Sequence, residues 1–137
     1  MYALDGIWLN QCQRKRLDSF HVGCIRRIVK VQHAYYSRIS NEDVLKAAYS
    51  TLLSLLLLRN QLKSFGRIAS LDYHNCVRDL IFEADDSFTL KEISFPRRQG
   101  RPRLSWASEI FKIALQVSGS TPNLQSLLYS YAQSPRE

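Results

Sequence analysis

The sequence predicts a mainly α protein, an irregular bundle of about four to six helices with a basic Pro/Gly/Arg loop. Three observations carry this. Apolar residues recur at three- and four-residue steps along several segments of helical length. The 137 residues include only five Gly and four Pro, and the Pro lie after residue 95. Hydrophobic residues make up 45% of the chain, enough for a modest core and too many for a disordered one.

The first helix is expected after Asn10, with Leu17, Phe20, Cys24, Ile25, Ile28 and Val29 as its buried stripe. Arg14, Lys15, Arg16, Arg26, Arg27 and Lys30 fall mostly on its other side. A connection through His33–Ile39 leads to Ser40-Asn-Glu-Asp43, an N-cap with acidic residues in the first turn, where the helix dipole favours them. A short helix over Glu42–Tyr49 follows. The third helix is the clearest, with Leu55, Leu58, Leu62, Phe65 and Ile68 as an apolar stripe and Arg59, Lys63 and Arg67 as a basic one. Further leucines at 52, 53, 56 and 57 make its first half apolar nearly all round, which predicts a central position in the core.

Beyond Ser70 the elements shorten. Cys76–Phe82 fits one or two helical turns, Glu83–Ser87 is an acidic break, and Phe88–Phe95 alternates weakly as an extended segment would. Arg97–Arg103 is a loop. Ser105 or Trp106 opens a helix with Trp106, Ile110, Ile113, Ala114 and Val117 on one side. Ser118–Pro122 ends it, and Asn123–Ala132 is a last helix. There is no internal repeat.

The formal net charge is +7, from 19 Lys+Arg against 12 Asp+Glu. Such a surplus speaks to partners and not to fold, and nucleic acid is the commonest polyanion it meets, with an anionic membrane surface as the competitor. The most apolar stretch, Leu52–Leu58, is far shorter than the roughly 20 residues of a membrane span. Cys12, Cys24 and Cys76 are odd in number and lack framework spacing, and the N-terminus carries no leader-like pattern, so reduced thiols in a soluble intracellular chain are expected.

Several segments, in order, resemble the region downstream of the polymerase palm in non-LTR retrotransposon reverse transcriptases. They are Tyr2-Ala-Leu-Asp-Gly-Ile-Trp8, Leu17-Asp-Ser-Phe-His21 with Cys24-Ile-Arg-Arg-Ile28, and Arg38-Ile-Ser-Asn-Glu-Asp-Val-Leu45. Leu58-Arg-Asn-Gln-Leu62 with Phe65-Gly-Arg-Ile-Ala69, and Arg98-Gln-Gly-Arg-Pro-Arg103 with Trp106, complete the set. The resemblance covers about residues 2–107 and fades beyond. It implies a residual palm-end strand over 1–9, a helical thumb-like domain over 10–95, a basic loop over 96–104 and C-terminal helices over 105–137. It further implies a region that holds template–primer or the element's own RNA.

The family's catalytic turn has an aromatic residue, one intervening residue and then two aspartates. Here Phe82-Glu-Ala-Asp85-Asp86 has one residue too many, lies downstream of the thumb-like helices, and has no aspartate-bearing strand before it. Metal-assisted nucleotidyl transfer needs carboxylates converging from separate segments, so the chain is expected not to be an enzyme by itself. An exposed acidic loop is the simpler reading of Asp85 and Asp86.

The candidate phosphate ligands are Arg97, Arg98, Arg101 and Arg103, held out of helix by Gly100 and Pro102. Guanidinium groups bind phosphate through bidentate hydrogen bonds and stay charged. The competing reading is a solubilising loop, or arginines packed on Trp106. Gly100-Arg-Pro102 also resembles an AT-hook core, but Gln99 replaces its leading arginine. Arg59, Lys63 and Arg67, with Arg26 and Arg27 and the cluster Arg14–Arg16, extend the surface unless they are an ordinary solvated face. Tyr35, Tyr36 and Trp106 are candidates for stacking on bases, or else core and interface aromatics.

No metal or cofactor is expected. His74-Asn-Cys76 is the one tight His/Cys pair, where structural zinc wants four ligands. No nucleophile elbow or Gly-rich phosphate loop is present. The expected partner is RNA or DNA, gripped through its phosphate backbone, and the further candidate partners are a polymerase core or another helical chain. Two rival readings stand beside this one: a helical protein-interaction module using the Leu-rich third helix, and a decayed remnant without present activity.

Overall fold

The computed structural model describes residues 6–72, 74–83, 88–91 and 105–133, with side chains described through residue 128. Among the described residues the chain is mainly α. Seven helices follow in order: α1 Gln11–Ile28, α2 Ala34–Ser37, α3 Asn41–Ala47, α4 Leu53–Ala69, α5 Cys76–Asp79, α6 Trp106–Ser118 and α7 Thr121–Gln133. The count exceeds the expected range by one because α2, inside the expected connection, is a single turn of four residues, too short to show a period in the sequence; α5, also four residues, falls within the expected turns at Cys76–Phe82. The chain divides into two units, Met1–Asn60 and Gln61–Glu137, and the division falls inside α4.

In the first unit, α1 starts where a capping box sets it. The Asn10 side chain accepts from the Gln13 N–H at 2.8 Å, and Gln13 Oε1 accepts from the Asn10 N–H at 2.9 Å. Helix α1 packs on α3, and the core between them is Val22, Ile25, Val44 and Leu45, extended by Val31, Ala48 and Leu52. The expected stripe of α1 is therefore rotated. Phe20 and Ile28 point to solvent, and Val22 takes the central buried position. A helical period locates an apolar arc only to within a residue or so, and α1 carries apolar side chains on both sides of the true one.

Helix α3 begins at Ser40, whose Oγ accepts from the Asp43 N–H at 3.1 Å, with Glu42 and Asp43 in the first turn. Both α1 and α3 end in the same way. Lys30 and Tyr49 take left-handed backbone conformations at φ 58° and 50°. The N–H of Val31 then donates to Arg26 O, and that of Ser50 to Leu45 O, each at 2.9 Å. These are Schellman closures with a non-glycine residue at the left-handed position.

Helix α4 lacks a cap of its own and receives one from α1. Asp18 Oδ1 accepts from the Ser54 N–H at 2.8 Å, and Asp18 Oδ2 accepts from Ser54 Oγ at 2.7 Å. The fully buried row of α4 is Leu57, Gln61, Phe65 and Ala69 at four-residue spacing, while Leu55 is exposed. The buried side is thus displaced from the expected Leu55–Leu58–Leu62 stripe, because a nearly all-apolar first half leaves the period without contrast.

The second unit is built on aromatic side chains. Phe65 meets Phe82, Trp106 and Phe111 at ring-centroid distances of 5.4, 6.3 and 6.3 Å, and Phe82 meets Phe88 edge-on at 6.0 Å. Ile110, Ala114, Leu124 and Leu128 are buried in the same unit. Ser105 caps α6 by accepting from the Ser108 N–H at 3.2 Å, and Gly119 at φ 78° ends it. Helix α6 then turns back onto α7. Val117, expected on the buried side of α6, is exposed. The weak alternation after Glu83 corresponds to one antiparallel bridge, Phe82 with Leu90; residues 92–95 lie outside the described residues.

Candidate nucleic-acid interface

The loop arginines Arg97, Arg98, Arg101 and Arg103, and the acidic pair Asp85 and Asp86, lie outside the described residues. The geometry of the candidate interface therefore rests on the helices.

Helix α4 carries Arg59, Lys63 and Arg67 at i, i+4 and i+8, all exposed, opposite the buried row Leu57–Gln61–Phe65–Ala69. No Asp or Glu occurs in α4, so no carboxylate on the same helix competes for these cations. Consecutive members stand about one helical turn, or 6 Å, apart along the axis. That is close to the spacing of phosphates along an extended strand. The row forms locally because leucine, lysine, arginine and glutamine lose little rotamer freedom in a helix.

Helix α1 separates its two adjacent arginines. Arg27 is exposed, whereas Arg26 is 6% exposed and sits on the buried arc with Val22 and Ile25. The Arg26 guanidinium donates from Nη1 to Gln32 O at 3.0 Å and from Nη2 to Ile39 O at 2.7 Å. It also donates to Asn41 Oδ1, at 3.0 Å from Nη2 and 3.3 Å from Nε. Arg26 is thus withdrawn from the interface expected from the sequence: its donors hold the chain between α1 and α3. Neutral carbonyl and amide acceptors satisfy a buried guanidinium here, as burial of a charge requires. The sequence held a signal for this, since position 26 follows Val22 by four residues and falls one step from Ile25.

Arg14 is also partly committed. Its guanidinium carbon lies 4.1 Å from the centre of the Trp8 ring, and its Nε donates to Leu9 O at 3.1 Å. Lys15 and Arg16 are exposed. The single carboxylate of α1, Asp18, is consumed at the start of α4. Helices α1 and α4 therefore each present exposed cations with no free carboxylate of their own.

The stacking candidates separate as well. Tyr35 and Tyr36 are exposed, while Trp106 packs against Phe65 with its indole N–H buried and without an acceptor among the described residues. Trp106 is a packing residue. A second buried cation among the described residues is Arg78, whose guanidinium carbon lies 5.6 Å from the centre of the Phe88 ring.

Cys12, Cys24 and Cys76 are free thiols, and no group of three or more His, Cys, Asp or Glu side chains converges among the described residues. A pocket of about 30 Å³, room for a water molecule, lies between Phe88, Phe111, Leu124 and Leu128. No described helix is long and apolar enough to cross a membrane. No family model, no curated protein and no solved structure matches this chain.

Proposed function

We propose that this chain is a non-catalytic nucleic-acid-binding module that grips RNA or DNA through the phosphate backbone. The observation that carries the reading is the exposed row Arg59, Lys63 and Arg67 on a helix without a carboxylate. The row belongs to a chain of net charge +7, and the arginine-rich segment Arg97–Arg103 adds four further cations. The resemblance of residues 2–107 to the post-palm region of non-LTR retrotransposon reverse transcriptases agrees with this reading. It makes the corresponding polymerase core a candidate partner. Binding by counterion release carries little base information, so affinity is expected to depend on salt far more than on sequence.

The test is binding of the purified chain to labelled RNA and duplex DNA across a salt series, beside an Arg97/Arg98/Arg101/Arg103→Ala variant. If the four arginines meet about four phosphates, the log–log salt slope flattens by about 3.6 in the variant, at about 0.9 per contact. An unchanged slope rules the loop out as the grip. Failure of the folded chain to bind any polyanion at low salt rules out the function.

One observation favours a second reading, a helical protein-interaction module. Leu55 and Leu56 are exposed side by side on the Leu-rich turn of α4, an apolar pair that a partner helix would cover. Concentration-dependent dimerisation abolished by Leu55→Ser/Leu56→Ser, without salt-dependent nucleic-acid binding, would establish it.

A further inference from the structure

The turn α2 is held more firmly than a surface turn requires. Arg26 grips both of its flanks, at Gln32 O before it and at Ile39 O and Asn41 Oδ1 after it. Ser37 Oγ donates back to Gln32 O at 3.2 Å, and His33 Nδ1 accepts from the Tyr35 N–H at 3.3 Å. Arg38 closes the turn in the left-handed conformation at φ 57°, its N–H donating to Ala34 O at 3.0 Å. None of this buries the aromatic side chains. Tyr35 and Tyr36 are each 75% exposed, with ring centroids 5.3 Å apart and planes at 89°. A buried arginine thus fixes the backbone of a turn whose two rings contribute little to the core.

The surroundings of the turn select its occupant. Arg27, Lys30 and Arg38 are exposed on either side of it in the chain, and among the described residues none of them is ion-paired. Of the two acids that follow, Asp43 is already engaged by the Ser40 hydroxyl at 2.6 Å. Exposed rings with surplus cations suit a ligand that combines π-faces with negative charge. The perpendicular planes restrict this further. Bases in a duplex lie parallel at about 3.4 Å separation and cannot place neighbouring faces on rings at a right angle. Unpaired bases splay apart and can.

We infer that the braced turn Ala34–Ser37 is a stacking platform on which Tyr35 and Tyr36 hold unpaired bases of a single-stranded nucleic acid. This rests on the phosphate-binding reading and adds to it a preference for single strands. Phosphates of the same strand reach Arg27, Lys30 and Arg38, while the bases turn onto the rings.

The experiment compares the full chain with Tyr35→Ala/Tyr36→Ala and Tyr35→Phe/Tyr36→Phe variants. The probes are labelled oligouridylate, oligothymidylate, an abasic strand of equal length and a DNA duplex. The alanine variant is expected to bind both single strands more weakly, on the order of tenfold per stacked base, while its affinity for the abasic strand and the duplex holds. The phenylalanine variant keeps the rings and is expected to bind as the wild type does. Preference for RNA or for DNA identifies the natural strand and supports the inference either way. Equal losses on all four probes, or no loss on any, overturn it. Wild-type binding to the abasic strand and duplex as tight as to the single strands removes the platform but leaves phosphate binding intact. Binding to none of the probes removes both.

Discussion

Asp18 caps α4 from the neighbouring helix, its two carboxylate oxygens accepting from the Ser54 backbone N–H at 2.8 Å and the Ser54 hydroxyl at 2.7 Å. The pair lies 36 residues apart in sequence and fastens α1 to the start of the longest run of leucines. The contact supplies a negative charge where the helix dipole is positive, and it satisfies one of the donors that every helix start leaves open. It also places a carboxylate of the chain itself at the positive end of α4.

Replacing Asp18 by Ala is expected to destabilise the chain by about 1–2 kcal/mol, the usual worth of a cap. Ser54→Ala keeps the backbone bond and costs less, about 1 kcal/mol. Urea unfolding of the two single variants and the double variant measures the coupling. Additive losses would show that the two side chains act independently.

Arg26 and Arg27 are adjacent and expected to behave oppositely. Arg26→Met leaves Ile39 O and Asn41 Oδ1 without the guanidinium and Gln32 O with the Ser37 hydroxyl alone, and should cost about 2–4 kcal/mol. Arg27→Met should change stability by no more than about 0.5 kcal/mol. In nucleic-acid binding the order reverses, with Arg27→Met lowering the salt slope by about 0.9 if it meets one phosphate. Comparable stability losses in the two variants would contradict the assignment of Arg26 to the frame.

Tyr49 is fully exposed at φ 50° and closes α3. Glycine at that position relieves the left-handed strain and removes no packing, so Tyr49→Gly is expected to raise Tm by about 2–5 °C. Thermal melts followed by circular dichroism check this. A lower Tm would indicate that the Tyr49 ring makes contacts that its exposure does not suggest.

Arg59, Lys63 and Arg67 converted together to Gln should leave the fold intact, since all three are exposed. The log–log salt slope should flatten by up to about 2.7, at about 0.9 for each phosphate released. A fall in affinity at every salt concentration with an unchanged slope would mean that the row acts by another route.

The periodic apolar residues, scarce Gly and Pro, and local caps sufficed for the helical class and for several helix starts. Asn10, Ser40 and Ser105 act within three residues of themselves, and local chemistry of this kind is written in order along the chain. The exposed cationic row of α4 was legible for the same reason: four-residue spacing puts Arg59, Lys63 and Arg67 on one face whatever the helix packs against. Only the tertiary structure decided which arc each helix buries. It placed Val22 where Phe20 was expected, and Gln61 on a buried row where a leucine stripe was expected. It also decided which charges remain free. Asp18 and Arg26 look like surface residues until α4 and the α2–α3 connection are laid against α1, because their partners lie 36 and up to 15 residues away. Sequence pattern encodes which side chains share a face, and packing between elements decides which face loses water.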